Sequence, residues 1–345
     1  MDEPPFDWND PPPALCTPSP WSVRFGQHAA RVRVVDETLR DGLQNATGFD
    51  PPLGTKIELL HAMARLGVDV VSVGLPAAGG HHAEDTVALV REIATAKLPL
   101  VPTAAGRTMV ADVAAVARVA DRAGLAPEVY AFIGSSPIRH SVEGWDVGFL
   151  VRVITDAAKA AARWGLRFTL VTEDTTRSRP DALRTIYRAA VDAGALRICL
   201  CDTSGHATTR GVEQLVTFVQ GELAAIGAGH VGLDWHGHND RGLGLSNALW
   251  AAALGVERIH GTGLGVGERV GNPPLELLID NLVRLGVRPA VPRAALLEFC
   301  HIAARALRWR IPVDHPIAGR HACEPEVAPS SAAGAEPRAV AELGG

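Results

Sequence analysis

The chain has 345 residues, with 33 Lys and Arg against 38 Asp and Glu, and a formal net charge of −5. This charge balance argues against a nucleic-acid partner, and no apolar run approaches the ~18 residues that a membrane span needs. The five cysteines lack the spacing of a disulfide framework, which indicates reduced thiols. The N-terminus has no charged-then-apolar signal, so we expect a cytoplasmic protein.

Proline dominates the beginning of the chain. Residues 1–30 contain Pro4-Pro5, Pro11-Pro12-Pro13 and Pro18. Because proline lacks a backbone donor and has a fixed φ, it does not favour a helix or a central strand here. We therefore predict an extended N-terminal arm without chemistry of its own.

From Val32 onward, short apolar strands alternate with amphipathic helical patterns. The predicted strands are Val32–Asp36, Val68–Val73, Pro99–Ala104, Glu128–Ile133, Arg167–Val171, Arg197–Cys201, Val231–Trp235 and Arg258–Gly261. The predicted helices are Leu53–Leu66, Ala83–Ala96, Val110–Ala123, Val147–Trp164, Pro180–Ala193, Arg210–Ile226, Leu243–Leu254 and Pro274–Leu285. Several helices end at a glycine suited to a left-handed cap: Gly67, Gly165, Gly194 and Gly255.

Eight strand–helix units fit between residues 32 and 285, which is close to the ~250 residues typical of a (β/α)₈ TIM barrel. The alternative, a doubly wound open sheet, favours a Gly-rich phosphate turn after its first strand, and residues 35–42 contain none. We predict an α/β fold with a catalytic barrel over residues 31–290. A truncated helical subdomain over 291–322, with a helix at Arg293–Leu307, and a disordered tail over 323–345 follow it.

Two histidines two residues apart follow the seventh predicted strand, in the stretch Leu233-Asp234-Trp235-His236-Gly237-His238. Residues i and i+2 of a strand point to the same side, so both imidazoles would face one way at its carboxyl end. Imidazoles are common ligands of divalent ions, and a carboxylate from elsewhere would complete such a site. Two solvated loop histidines remain the alternative.

Polar side chains follow the other strands too, and in a barrel they would converge on one mouth. They are Arg40, Asp41, Gln44, Arg107, Ser135, Ser136, His140, Glu173, Asp174, Asp202, Thr203, Glu268, Arg269 and Asn272. Asp41 is the best third metal ligand, with Arg40 beside it to stabilise negative charge on a substrate oxygen. A structural ion-pair network is the alternative explanation.

Three stretches together resemble a known family: Asp36-Glu37-Thr38-Leu39-Arg40-Asp41-Gly42, His236-Gly237-His238-Asn239-Asp240 and Gly267-Glu268-Arg269-Val270-Gly271-Asn272. They are similar to the signatures of the metal-dependent Claisen-condensing enzymes, the 2-isopropylmalate, homocitrate and citramalate synthases. These share a barrel with the 3-hydroxy-3-methylglutaryl-CoA lyases. The resemblance covers about residues 32–320, with the signatures in the expected order.

The resemblance implies a divalent metal ion, Zn²⁺, Mn²⁺ or Mg²⁺, bound by Asp41, His236 and His238, with Asn272 as a fourth ligand, direct or through water. Arg40 would polarise the bound carbonyl group. Glu173 and Thr203 match positions that hold the 2-oxo acid, and we add Gln44, Arg107 and His140 as substrate contacts. The implied activity is that of an acyltransferase, which condenses an acyl-CoA, with acetyl-CoA as the expected donor, with a 2-oxo acid.

The region after the barrel departs from the synthase pattern. Ile311-Pro312 to Gly319-Arg320 resembles the lead-in to a histidine-bearing block that serves a neighbouring subunit's site, which suggests a homodimer. The block itself is lost after His321, so His321 becomes a candidate acid–base residue, with His140 and Glu324 as alternatives.

Two other functions stay open. The first is a carbon–carbon lyase on the same metal site. Such lyases carry a cysteine in the eighth loop, which Gly263–Asn272 lacks, although Arg40–Asn45 looks lyase-like. The second is a catalytically degenerate paralogue that binds a metabolite or a related synthase.

Overall fold

Eight parallel strands form a closed barrel in a computed structural model that describes residues 32–323. Each strand pairs with the next along the chain, and β8 pairs with β1, with Val34 opposite Ile259 and Asp36 opposite Gly261. The predicted TIM barrel is confirmed. The arm predicted for residues 1–30 and the tail predicted from residue 323, apart from Cys323, lie outside the described residues.

All eight predicted strands are present, and most begin or end within three residues of their predicted bounds. They are β1 Arg33–Asp36, β2 Val70–Ser72, β3 Val101–Arg107, β4 Glu128–Gly134, β5 Phe168–Glu173, β6 Arg197–Asp202, β7 Gly232–Gly237 and β8 Arg258–Gly261. The strands read as short apolar runs because both faces are covered in a parallel sheet. Strand β3 runs to Arg107, so this residue ends the strand instead of following it.

Helices surround the barrel and bury their apolar faces against it. They are α1 Leu53–Leu66, α2 Gly80–Thr95, α3 Val110–Ala123, α4 Pro137–Glu143, α5 Val147–Arg163, α6 Pro180–Asp192, α7 Thr209–Ala225, α8 Gly244–Ala253, α9 Leu275–Arg284 and α10 Arg293–Ala306. The glycines expected to end four of the helices, Gly67, Gly165, Gly194 and Gly255, all have positive φ. Over residues 32–323, no helix combines the length and the apolar character needed to cross a bilayer.

Helix α4 was missing from the sequence-based assignment, although it carries readable signals. The Ser136 hydroxyl accepts a hydrogen bond from the backbone N–H of Arg139, Pro137 occupies the first turn, and Gly144 ends the helix with φ 68°. These are standard N-terminal and C-terminal cap residues. The helix escapes a periodicity search because it is only seven residues long.

The lower half of the barrel interior is charged, although TIM-barrel interiors are usually filled by branched apolar residues. Arg258 of β8 donates to Glu128 of β4 (2.6 Å) and to the Tyr130 hydroxyl (2.8 Å). Tyr130 in turn donates to Asp234 of β7, as does Arg197 of β6 (2.5 and 2.6 Å). All five side chains lie near the amino-terminal ends of their strands, where they join four strands across the barrel.

Breaking this network should strongly destabilise the barrel. Arg258→Met keeps an unbranched side chain but leaves the buried Glu128 without its closest partner, so we expect a loss of about 3–5 kcal/mol in the free energy of unfolding. Urea denaturation monitored by circular dichroism measures it. In the control Arg184→Met, a surface ion pair with Glu222 is lost, and the change should be far smaller. Equal effects in the two variants would contradict the structural role of the network.

Candidate metal centre and active-site cavity

The turn after β1 fixes a guanidinium at the barrel mouth. Arg40 donates from Nε to Oε2 of Glu37 (2.8 Å) and from Nη1 to Oδ1 of Asp41 (3.3 Å). Glu37 is itself buried, and its other oxygen lies 3.1 Å from Nδ1 of His260. Burial alone would raise the pKa of Glu37, but Arg40 and His260 outweigh it and hold that pKa at about 2. The Arg40 side chain is therefore clamped by an ionised carboxylate.

The imidazoles of His236, at the end of β7, and His238, directly after it, face each other beside Asp41. His236 Nε2 lies 3.1 Å from His238 Nε2, and these atoms are 3.9 and 3.4 Å from Asp41 Oδ2. Burial lowers the pKa of His236 to about 3, with Asp41 partly opposing the shift. Burial would raise the pKa of Asp41, but Arg40 and the histidines hold it below its usual range. The imidazole of His236 is thus neutral and the carboxylate of Asp41 is ionised, which is the state that a metal requires.

Asn272 approaches the same carboxylate from the loop after β8. Its Nδ2 donates to Asp41 Oδ2 at 2.5 Å, and its buried Oδ1 has no hydrogen-bond partner among residues 32–323. Close backbone packing shapes this loop: a Cβ at Gly267 would overlap the Asn272 amide, and a Cβ at Gly271 would overlap the carbonyl oxygen of Gly265. The glycines are needed so that the loop can fold tightly behind Asn272.

The donor set fits a divalent ion. Ligands at about 2.1 Å from one ion and 90–110° apart lie about 3.0–3.4 Å from each other. The separations among Asp41, His236 and His238, at 3.1, 3.4 and 3.9 Å, are close to that range. Two Nε2 atoms facing each other at 3.1 Å beside the Asp41 carboxylate are the arrangement expected of ligands that share a cation. Asn272 turns Nδ2 to Asp41, so a direct ligand role for its Oδ1 would need the amide to be reversed.

One contact bears on the histidine tautomer. Arg269 Nη2 lies 2.6 Å from His238 Nδ1, but also within reach of the carbonyl oxygen of Thr203 (2.5 Å) and of Asp240 Oδ2 (2.9 Å). Because a guanidinium nitrogen only donates, His238 Nδ1 is the acceptor in this contact, and the proton of the neutral ring lies on Nε2. An ion bound through Nε2 would displace that proton.

Two other groups of potential ligands are poorer sites. Glu37, His236 and His260 converge, but Glu37 already neutralises Arg40. Asp50, His81 and His82 also converge, but the Lys56 ammonium lies 2.6 Å from Asp50 and would repel a cation. Among the described residues, Asp41, His236 and His238 form the group best suited to bind a metal.

A cavity of about 150 Å³ opens above this group. Seven of the residues expected at the site line it, together with Glu268: Arg40, Asp41, Gln44, Glu173, Thr203, His236 and His238. Burial raises the pKa of Glu173, Arg139 opposes the shift, and Glu268 adds to it. A second cavity of about 470 Å³ lies alongside, and the two share Arg40, Gln44 and Leu75 as a common wall.

Four residues assigned from the sequence do not line this cavity. One of them, Asn272, still contacts Asp41, and the other three do not. The Arg107 guanidinium forms a bidentate pair with Asp112 (3.0 and 2.9 Å). His140 lies on α4, and burial lowers its pKa, with Asp146 opposing. His321 is exposed and lines neither cavity. The structure therefore does not bring Arg107, His140 and His321 together with Asp41, His236 and His238.

Sequence reasoning missed Glu37 and His260 as part of the site. Both are buried and line the cavity, and His260 shares the inward-facing parity of Arg258 on β8. This i, i+2 pair of polar residues in a strand was a signal that β8 has a polar inner face.

Removing one imidazole should abolish metal retention. His236→Ala deletes one ligand and leaves the others too few for tight binding, so we expect loss of the bound divalent ion after gel filtration, measured by elemental analysis. The exposed His230→Ala serves as the control. If His236→Ala kept a full equivalent of ion in this cavity, the ligand assignment would be wrong.

The comparisons with known proteins agree with this architecture. The HMGL-like family model matches residues 31–303. A 2-isopropylmalate synthase from Sediminispirochaeta smaragdinae is 34% identical over 256 residues, which cover 73% of this chain and 49% of the relative. A probable 2-isopropylmalate synthase from Methanopyrus kandleri is 32% identical over 296 residues, which cover 85% of this chain and 56% of the relative. The chain thus spans about half the length of these curated relatives.

Among solved structures, an HMG-CoA lyase from Acinetobacter baumannii, in complex with coenzyme A and 3-methylmalate, matches with a TM-score of 0.70. The match covers 87% of this chain and 99% of the lyase at 19% identity, so it concerns the fold alone. The family model, in contrast, spans the barrel from β1 into α10. The chain therefore belongs to the HMGL-like family of TIM-barrel enzymes.

Proposed function

We propose that the protein is an acyltransferase that condenses an acyl-CoA, with acetyl-CoA as the expected donor, with a 2-oxo acid. The products would be a 2-alkylmalate-type acid and CoA. The observation that carries the proposal is the group Asp41, His236, His238 and Asn272 with a clamped Arg40 at the edge of one cavity. The names of the synthase relatives support the same chemistry.

The residues around the cavity support distinct steps. A bound divalent ion would act as a Lewis acid that orients the 2-oxo acid and polarises its ketone. Arg40, which Glu37 and Asp41 keep from swinging away, would stabilise the negative charge that develops on the ketone oxygen. The hydroxyl of Thr203 accepts a hydrogen bond from the Asp174 backbone, which leaves its proton free to donate to the substrate.

The reaction needs a base for the acyl donor. The base takes a proton from the α-carbon of the acyl group, and that carbon bonds to the ketone carbon while the C=O electron pair moves onto the ketone oxygen. This oxygen takes up a proton to become the hydroxyl group, and water then cleaves the thioester to release the CoA thiol and a carboxylate. We propose Glu173 as the base because it lines the cavity and burial moves its pKa upward, nearer to neutrality. His321, the other candidate from the sequence, is exposed and outside the cavity.

The neighbouring cavity supports a two-substrate reaction. The smaller cavity of about 150 Å³ suits a short 2-oxo acid, and the larger one of about 470 Å³ offers room for part of the second substrate. Their common wall includes Arg40, so groups entering from the two sides would meet at the guanidinium.

A thiol-release assay with acetyl-CoA and a panel of 2-oxo acids tests the proposed function. CoA release that depends on one 2-oxo acid and on added Mg²⁺, Mn²⁺ or Zn²⁺ is the expected result. Cleavage of a 3-hydroxyacyl-CoA or a 2-alkylmalate without condensation would indicate the lyase instead. Neither reaction would indicate a degenerate paralogue.

Two variants assign the base. Glu173→Gln should lower kcat by about 10²–10⁴-fold and remove the acid limb of the kcat/KM profile, because activity that needs a deprotonated Glu173 is lost as pH falls through its pKa. His321→Ala should cost much less. Both variants should retain a full equivalent of metal. A loss in His321→Ala as large as that in Glu173→Gln would return the catalytic role to His321.

A further inference from the structure

The segment after α10 returns to the barrel and buries one histidine. The backbone N–H groups of Ile317 and Ala318 both donate to His315 Nδ1 (3.3 and 3.1 Å), and Gly319 N–H donates to the His315 carbonyl oxygen (2.9 Å). Because Nδ1 accepts these bonds, the imidazole must carry its proton on Nε2. The chain itself therefore fixes both the orientation and the tautomer of this ring.

The Nε2 proton points at a buried carboxylate. His315 Nε2 donates to Oε1 of Glu276 at 2.9 Å, and Glu276, the second residue of α9, is fully buried. The other carboxylate oxygen accepts from the backbone N–H of Leu264 (3.0 Å). Glu276 thus connects the segment after the barrel to the loop after β8.

That loop holds the strained part of the metal site. Leu264 has φ 58°, a left-handed conformation that a leucine keeps only when its surroundings impose it. Directly after it, the Gly265 carbonyl oxygen accepts from the backbone N–H of Asn272 (2.9 Å). The Asn272 side chain then reaches Asp41. Every link from His315 to the carboxylate of Asp41 is a hydrogen bond or an adjacent peptide unit.

We propose that His315 is a positioning residue for the metal centre, acting through Glu276 and the Leu264–Gly265 turn to hold Asn272 against Asp41. The segment 311–319 would then be a functional part of the barrel site, although no residue of it lines the cavity. The inference rests on the proposed metal site, but it concerns how that site is held together and not which reaction follows.

Alternative roles make different predictions. If His315 only anchored the segment to the barrel, its loss would lower the melting temperature but leave the affinity of the folded protein for metal unchanged. If it positions Asn272, the affinity itself must fall. Residues that orient ligands typically change metal affinity by about 10–100-fold when they are removed.

The test measures Mn²⁺ and Zn²⁺ binding by calorimetry on purified, metal-stripped full-length protein. The variants are His315→Ala and Glu276→Gln, with His301→Ala, an exposed histidine on α10, as the matched control. We expect Kd to rise about 10–100-fold in His315→Ala, less in Glu276→Gln, and not in His301→Ala. Circular dichroism on each metal-free variant verifies that the barrel is folded.

The double variant supplies the second readout. Because both residues act through one path, the loss in His315→Ala/Glu276→Gln should not exceed that of the more damaging single variant by more than about twofold. Should His315→Ala fail to fold, Glu276→Gln, which keeps the side-chain size, carries the test alone. Wild-type Kd values in every folded variant would overturn the role of His315 and leave the metal site standing. Wild-type protein that binds neither ion would overturn the site itself.

Discussion

The carboxylate of Asp41 is the point on which the site depends. One of its oxygens faces Arg40, and the other faces Asn272 and both imidazoles. A buried carboxylate would normally resist ionisation, but the adjacent guanidinium keeps it charged. Arg40 is in turn bound by Glu37, which lies beside His260. The proposed metal ligands are thus one end of a buried series of alternating charges.

The buried charged residues of the barrel form two groups, one at each end of the strands. Near the amino-terminal ends of the strands, Arg258, Arg197 and Asp234 join strands to each other by hydrogen bonds, although Arg258 Nε has no partner among the described residues. At the carboxyl ends lie the facing imidazoles and the unpartnered Oδ1 of Asn272, which belong to the group that we propose for an ion and a substrate. His260 lies between the two groups, 3.1 Å from Glu37 and 3.6 Å from Asp234. The polar interior of the barrel therefore continues from the network at the amino-terminal ends of the strands to the candidate site at their carboxyl ends.

Much of the fold and of the candidate site could be predicted from the sequence, for physical reasons. Parallel strands and amphipathic helices have distinct periods, and glycine after a helix has a clear steric meaning, so the barrel and the four capping glycines could be predicted. Residues that follow strand ends converge by topology, which placed Arg40, Asp41, His236, His238 and Asn272 together. The partners of individual side chains were harder to predict. Arg107 pairs with Asp112, five residues away, and the strand pattern does not indicate this pairing.

Contacts between distant segments were hidden for a similar reason. The link from His315 to Glu276 crosses 39 residues, and the pair of Glu37 and His260 joins β1 to β8. A single sequence shows secondary-structure propensities and hydrophobic periodicity, but it does not show which buried acidic residue contacts which basic residue. The missing helix α4 is a different case, since its cap residues were visible but its length was below that at which periodicity is informative.

The closure of the barrel has a consequence for how the protein acquires its site. Asp41 follows the first strand, the imidazoles follow the seventh, and Asn272 follows the eighth, so the contact between Asp41 and Asn272 spans 231 residues of chain. No half-barrel contains the complete set, and the ligands meet only where β8 pairs with β1. An ion bound there would link residues on both sides of the β8–β1 pairing that closes the barrel. When the ion is removed, we expect amide hydrogen exchange to increase in β1 and β8 before it increases elsewhere in the barrel.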